Sequence, residues 1–121
     1  MFGDKTLNKR QALETAVSTG GLLVSAISCW EVGMLVARGK LILGLPCLEW
    51  VEKALATPGV SLLEISPSIA IEASYLPVGF HNDPADRILV ASARVQNLTL
   101  ATRDAKILEY SRSGHVRTLA C

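Results

Sequence analysis

Glu31, Asp86 and Asp104 are three carboxylates that each stand where an apolar, strand-like run gives way to a helix-like one. Glu31 follows Val24-Ser25-Ala26-Ile27-Ser28-Cys29-Trp30, and Asp104 follows Leu98-Thr99-Leu100-Ala101-Thr102-Arg103. Asp86 lies in Phe80-His81-Asn82-Asp83-Pro84-Ala85-Asp86-Arg87, ahead of the apolar run Ile88-Leu89-Val90-Ala91. Carboxylates that converge from separate strand exits offer oxygen ligands to a hard divalent ion, Mg²⁺ or Mn²⁺. Such an ion activates water and neutralises charge on a phosphodiester. The carboxyl ends of parallel strands are also where open α/β sheets generally hold their ligands. This chemistry does not by itself name RNA as the substrate.

Each residue has a structural alternative. Ser28 and Glu31 have the spacing of a capping box, and Asp83 can cap a helix with Pro84 in its first turn and Asp86 as the reciprocal partner. An acidic residue at position 104 suits a helix start for dipole reasons alone. Recurrence at three strand exits, rather than any single residue, is what favours a shared site. His81 belongs to a loop, where it either touches substrate or packs. No cysteine or second histidine is arranged beside it for metal or nucleophilic chemistry, which favours packing. Arg87, Arg103 and Lys106 lie near the proposed rim and would meet phosphate only if they cluster in space. Ser25 and Thr102 either orient carboxylates or water, or satisfy nearby backbone groups.

The elements that must position these residues alternate along the chain. Leu7 to Val17 has the spacing of a short amphipathic helix. Gly20-Gly21 turns into Leu22 to Ala26, an apolar run without polar alternation, as expected for a strand covered on both faces. A helix starting at Ser28 runs to about Ala37 and stops at Gly39-Lys40, and another runs from Pro46 to Pro58-Gly59. Val60 to Ile65 reads as a strand. Ser66-Pro67 opens a helix whose stripe is Ile69, Ala70, Ala73 and Leu76. The helix after Asp83-Pro84 carries Ile88, Leu89, Ala91, Ser92 and Val95 and ends near Asn97, its small residues allowing close approach to a sheet. Leu98 to Thr102 and Val116 to Leu119 are further strands, with a short helix from Asp104 through Tyr110 between them. The alternation predicts an α/β fold: a three-layer α/β/α sandwich around a small, mostly parallel sheet.

A chain of 121 residues has room for one domain, expected to span 1–121. Its apolar fraction of 50% and charged fraction of 19% exclude a disordered or charge-rich arm. A formal net charge of +1 leaves nucleic-acid binding to a local patch. Three cysteines, Cys29, Cys47 and Cys121, lack zinc-site spacing and suit reduced thiols in the cytoplasm. Residues 1–10 lack the apolar core of a signal peptide, and Glu31 interrupts the most apolar stretch, so no membrane association is expected.

With these residues placed, the sequence resembles the PIN-domain family, especially the VapC-type toxins of bacterial toxin–antitoxin systems. The resemblance is carried by Ser25-Ala26-Ile27-Ser28-Cys29-Trp30-Glu31, by Phe80 to Arg87, by Ala101-Thr102-Arg103-Asp104 and by the Gly39-Lys40-Leu41 turn. It implies acidic metal-site positions at Glu31, Asp86 and Asp104, an accessory acid at Asp83 and a supporting polar residue at Thr102. It further implies Mg²⁺- or Mn²⁺-dependent cleavage of RNA, a homodimer, and inhibition by a cognate antitoxin.

One departure from the family pattern is expected at the N-terminus. Family members begin with an apolar strand ending in an aspartate, whereas Met1-Phe2-Gly3-Asp4 leads directly into what resembles the following segment. The sandwich is therefore expected to be N-terminally truncated, with β-strands 22–26 and 98–102 closing together or another chain filling the middle position. The acidic site would be incomplete and activity correspondingly impaired. The alternative function is an inactive PIN-like protein that binds an antitoxin or RNA, and a third is a small domain whose acids only cap helices.

Overall fold

The computed structural model describes residues 21–77 and 79–120. These fall into two compact units, one ending at Glu64 and the other beginning at Ile65. The expected helix from Leu7 to Val17, and the expected absence of a strand and aspartate before it, lie outside the described residues.

In the first unit, β1 (Leu22–Ser25) pairs in parallel with β2 (Val60–Leu63), with Leu22 opposite Val60 and Ser25 opposite Leu63. Between them run α1 (Ala26–Ala37) and α2 (Cys47–Leu55). The start of α1 differs from expectation. Ser25, not Ser28, is the N-cap, its hydroxyl accepting the Ile27 N–H at 3.2 Å. Glu31 is consequently the sixth residue of the helix, too far in to close a capping box. The end of α1 is a Schellman turn: Gly39 has φ +70°, its N–H donates to Val36 O, and the Lys40 N–H donates to Leu35 O. Leu23 and Leu62 remain about two-fifths exposed, so the apolar run is not covered on both faces. The physical reason lies in the helices beside it, since neither α1 nor α2 has a fully buried residue.

In the second unit, α3 (Pro67–Ser74) and α4 (Pro84–Gln96) precede β3 (Thr99–Thr102), α5 (Ala105–Ser111) and β4 (Arg117–Ala120). β3 and β4 pair in parallel, Thr99 opposite Arg117 and Thr102 opposite Ala120. Ser66 caps α3 through the Ile69 N–H at 3.2 Å, with Pro67 in the first turn as the sequence predicts. Asp83 caps α4, and Asn97 ends it in the left-handed region at φ 55°. The core gathers Ile69 and Ala73 of α3, Val90, Ala91 and Ala93 of α4, and Ile107 and Tyr110 of α5, with Phe80 and Val116. Small residues do let α4 pack tightly, because Ala91, Ser92 and Ala93 are all buried, and the Ser92 hydroxyl is satisfied by Ile88 O at 2.7 Å. Val95, expected on the buried stripe, is 39% exposed, whereas Val90 is fully buried.

The architecture is thus α/β with small parallel strand pairs flanked by helices, in keeping with the sandwich the sequence predicts. The ladder partner of β1 is β2 and that of β3 is β4, so the expected closing of 22–26 onto 98–102 is not among the described ladders. Among the described residues, no helix is long and apolar enough to cross a membrane.

Candidate metal centre

The centre is built where α4 and α5 begin. Asp83 accepts the Ala85 N–H through Oδ1 at 3.0 Å, and Pro84 holds the first turn. This fixes Asp86 as the third helical residue. A capping box would turn its carboxylate back to the Asp83 N–H. That N–H instead points at Nδ1 of His81, 3.4 Å away, while Nε2 of the same ring lies 3.1 Å from Asp86 Oδ2.

Asp104 arrives from the exit of β3. Its N–H donates to Thr102 Oγ1 at 3.0 Å, and its Oδ1 accepts the Lys106 and Ile107 N–H groups at 2.8 and 3.1 Å. Thr102 therefore sets the backbone that carries the carboxylate. Both capping bonds use Oδ1, so the cap engages one of two carboxylate oxygens.

His81, Asp86 and Asp104 each present a ligand atom, and these atoms lie within 4.8 Å of one another. The Asp86 carboxyl is held above its ordinary pKa, first by burial and then by the negative charges of Asp83 and Asp104; His81 and Lys106 oppose the shift. Excess negative charge in a partly desolvated pocket is the condition that a divalent cation relieves. The donor set fits such an ion: the buried His81 Nε2 makes no hydrogen bond, although it stands within ion-pair reach of Asp86 Oδ2 at 3.1 Å.

Arg87, expected near substrate phosphate, is half-buried: its Nε donates to Ala73 O at 2.8 Å, and a terminal nitrogen donates to Phe80 O and His81 O at 3.4 and 3.2 Å. It braces α3 and the loop before Asp83 against α4. Arg103 and Lys106 are exposed. Glu31 lies in α1 of the first unit, half-buried and with an interaction of its own. His81 is the residue the sequence reading set aside. Its signal was its place two residues before an Asp-Pro cap. A separate cavity of about 400 Å³ at the other end of α4 is lined by Glu72, Arg94, Asn97, His115 and Arg117 among others. It is crossed by the Arg94–Glu72 pair at 2.7 Å and contains none of the cluster.

Comparison with known proteins bears on this geometry. The family described as PIN domain matches residues 2–113. Over 97 residues the chain is 35% identical to Ribonuclease VapC22 of Mycobacterium tuberculosis (strain ATCC 25618 / H37Rv), a match covering 80% of this chain and 71% of that one. The fold is similar to that of the crystal structure of DNA-bound VapBC from Salmonella typhimurium, with a TM-score of 0.64 at 19% identity. That similarity covers 97% of this chain and 86% of the other.

Proposed function

Since the chain belongs to the PIN-domain family and is related to VapC-type toxins, we propose that it is a divalent-metal-dependent endoribonuclease toxin. The observation that carries this reading is the approach of Asp86 and Asp104, from two different helix starts, to one cluster with His81. Mg²⁺ or Mn²⁺ is the proposed cofactor, held by Asp86 and Asp104, with Glu31 as the third acidic position on the strength of the family resemblance. When bound, the ion supplies charge neutralisation at a scissile phosphate and a lowered pKa for attacking water.

The protein's own residues supply position. Asp83 fixes the first turn of α4 and with it the direction of Asp86. Thr102 fixes the Asp104 backbone. Arg87 ties three carbonyls to α4, so the loop holding His81 cannot drift from Asp86 without breaking those bonds. Preorganisation of this kind matters because a small displacement of a ligand costs catalysis steeply.

RNA is the proposed substrate, and a cognate antitoxin and a second copy of the chain are the proposed partners. The exposure of Trp30, Ile42 and Leu48 in the first unit supports a protein partner there. The test is Mn²⁺-dependent cleavage of a panel of structured and single-stranded RNAs, with Asp104→Asn as the contamination control. Cleavage by the wild type alone supports the reading. A folded wild type that leaves every RNA intact replaces it with the alternative, an inactive family member that binds an antitoxin or RNA.

A further inference from the structure

We propose that His81 is itself a metal ligand through Nε2, making the centre a mixed nitrogen–oxygen site that favours Mn²⁺ over Mg²⁺. The inference rests on the reading above that Asp86 and Asp104 hold a divalent ion.

A buried imidazole nitrogen that makes no hydrogen bond is uncommon and calls for a cause. Nε2 is such an atom, although a quarter of the side-chain surface of His81 is open. It lies 3.1 Å from Asp86 Oδ2 without the alignment of a hydrogen bond. Two donor atoms side by side at this separation are spaced like adjacent ligands of a six-coordinate ion, which stand about 3 Å apart when metal–ligand distances are about 2.1 Å. The Asp104 ligand atom lies within 4.8 Å of both, against about 4.2 Å between opposite ligands of such a shell, so a small side-chain movement completes the set.

The ring is also held in place from behind. Its centroid is 4.5 Å from that of Phe80, which packs at 4.7 Å on Tyr110, and the Tyr110 hydroxyl donates to Pro77 O at 2.9 Å. The His81 carbonyl accepts from Arg87 at 3.2 Å. Loop and ring are therefore anchored to the core before any ligand arrives.

Nitrogen ligation sets the metal preference. Mg²⁺ is served best by oxygen donors, whereas imidazole suits the first-row transition ions. The chain has only two histidines, His81 and His115, so an imidazole signal has two possible sources.

The test is pulsed EPR of the full, untagged chain loaded with Mn²⁺, together with Mn²⁺ and Mg²⁺ titrations. Histidyl-nitrogen modulation is expected in the wild type and in His115→Gln, and is lost in His81→Gln. The latter is also expected to bind Mn²⁺ about tenfold more weakly while its Mg²⁺ affinity changes much less. If His81→Gln does not fold, modulation retained in His115→Gln still assigns the nitrogen to His81. Mn²⁺ that binds, loses its site in Asp86→Asn and shows no nitrogen modulation in the wild type overturns this inference and leaves the metal centre standing. A wild type that binds no Mn²⁺ overturns both.

Discussion

Asp83 directs its backbone N–H at Nδ1 of His81, 3.4 Å away, and so withholds from Asp86 the bond that a capping box would give it. The Asp86 carboxylate is left facing the cluster, where burial and the charges of Asp83 and Asp104 raise its pKa. A carboxyl whose pKa is higher folded than unfolded binds its proton more tightly in the native state. The resulting stabilisation is fully present below the ordinary value of 3.8 and is lost as pH rises through the raised folded value. In the presence of EDTA, Asp86→Asn is therefore expected to raise the Tm at neutral pH, by about 1–4 °C. It should also flatten the fall in wild-type stability above pH 3.8. Thermal unfolding across pH measures both, and a lowered Tm at neutral pH would contradict this electrostatic account.

Substitution separates the helix cap at Asp104 from its proposed role as a metal ligand. Asparagine keeps a side-chain oxygen for the Lys106 and Ile107 N–H groups but removes the charge. Asp104→Asn is expected to fold normally and to lose RNA cleavage by about a hundredfold or more. Asp104→Ala loses the cap as well, with a further cost of about 1 kcal/mol in urea unfolding. Equal activity in wild type and Asp104→Asn would remove this residue from the site.

Adjacent residues encode some of these features, and distant ones encode the rest. Ser66-Pro67 and Asp83-Pro84 were legible because cap and first-turn proline are neighbours in sequence, and β3 and β4 fall within a residue or so of their apolar runs. Asp86 and Asp104 were legible as acids at helix starts, although Asp86 follows a helix and a loop rather than a strand. His81 was not, because its ring is placed by a stack from Phe80 to Tyr110 and by a hydroxyl bond that spans 33 residues. The hydrogen bonds of Arg87 were hidden for the same reason, since the shortest reaches Ala73, 14 residues away. The start of α1 was ambiguous locally, with Ser25 and Ser28 both able to cap. The ladder resolves it by ending at the Ser25–Leu63 pair.

That resolution has a direct test. Ser25→Ala removes the hydroxyl that accepts the Ile27 N–H and is expected to cost about 1 kcal/mol. Ser28→Ala, inside the first turns of α1, is expected to change stability by less than about 0.5 kcal/mol. Urea unfolding of the two variants decides between the caps. A larger loss from Ser28→Ala would restore the capping box and return Glu31 to a structural role.

Arg87 offers the clearest separation of bracing from substrate contact. Its guanidinium reaches three carbonyls from α3 and the 80–81 loop, and a lysine ammonium cannot reproduce that planar arrangement. Arg87→Lys leaves half-buried carbonyls without donors, for an expected loss of about 2–4 kcal/mol in urea unfolding. Because the same bonds hold the His81 carbonyl near α4, Mn²⁺ affinity should fall together with stability. A phosphate-contacting arginine behaves differently: its lysine variant keeps stability and metal affinity and loses only RNA affinity, with a shallower salt dependence. Measuring unfolding, Mn²⁺ binding and RNA binding on this one variant distinguishes the two roles, and the brace is the outcome the geometry predicts.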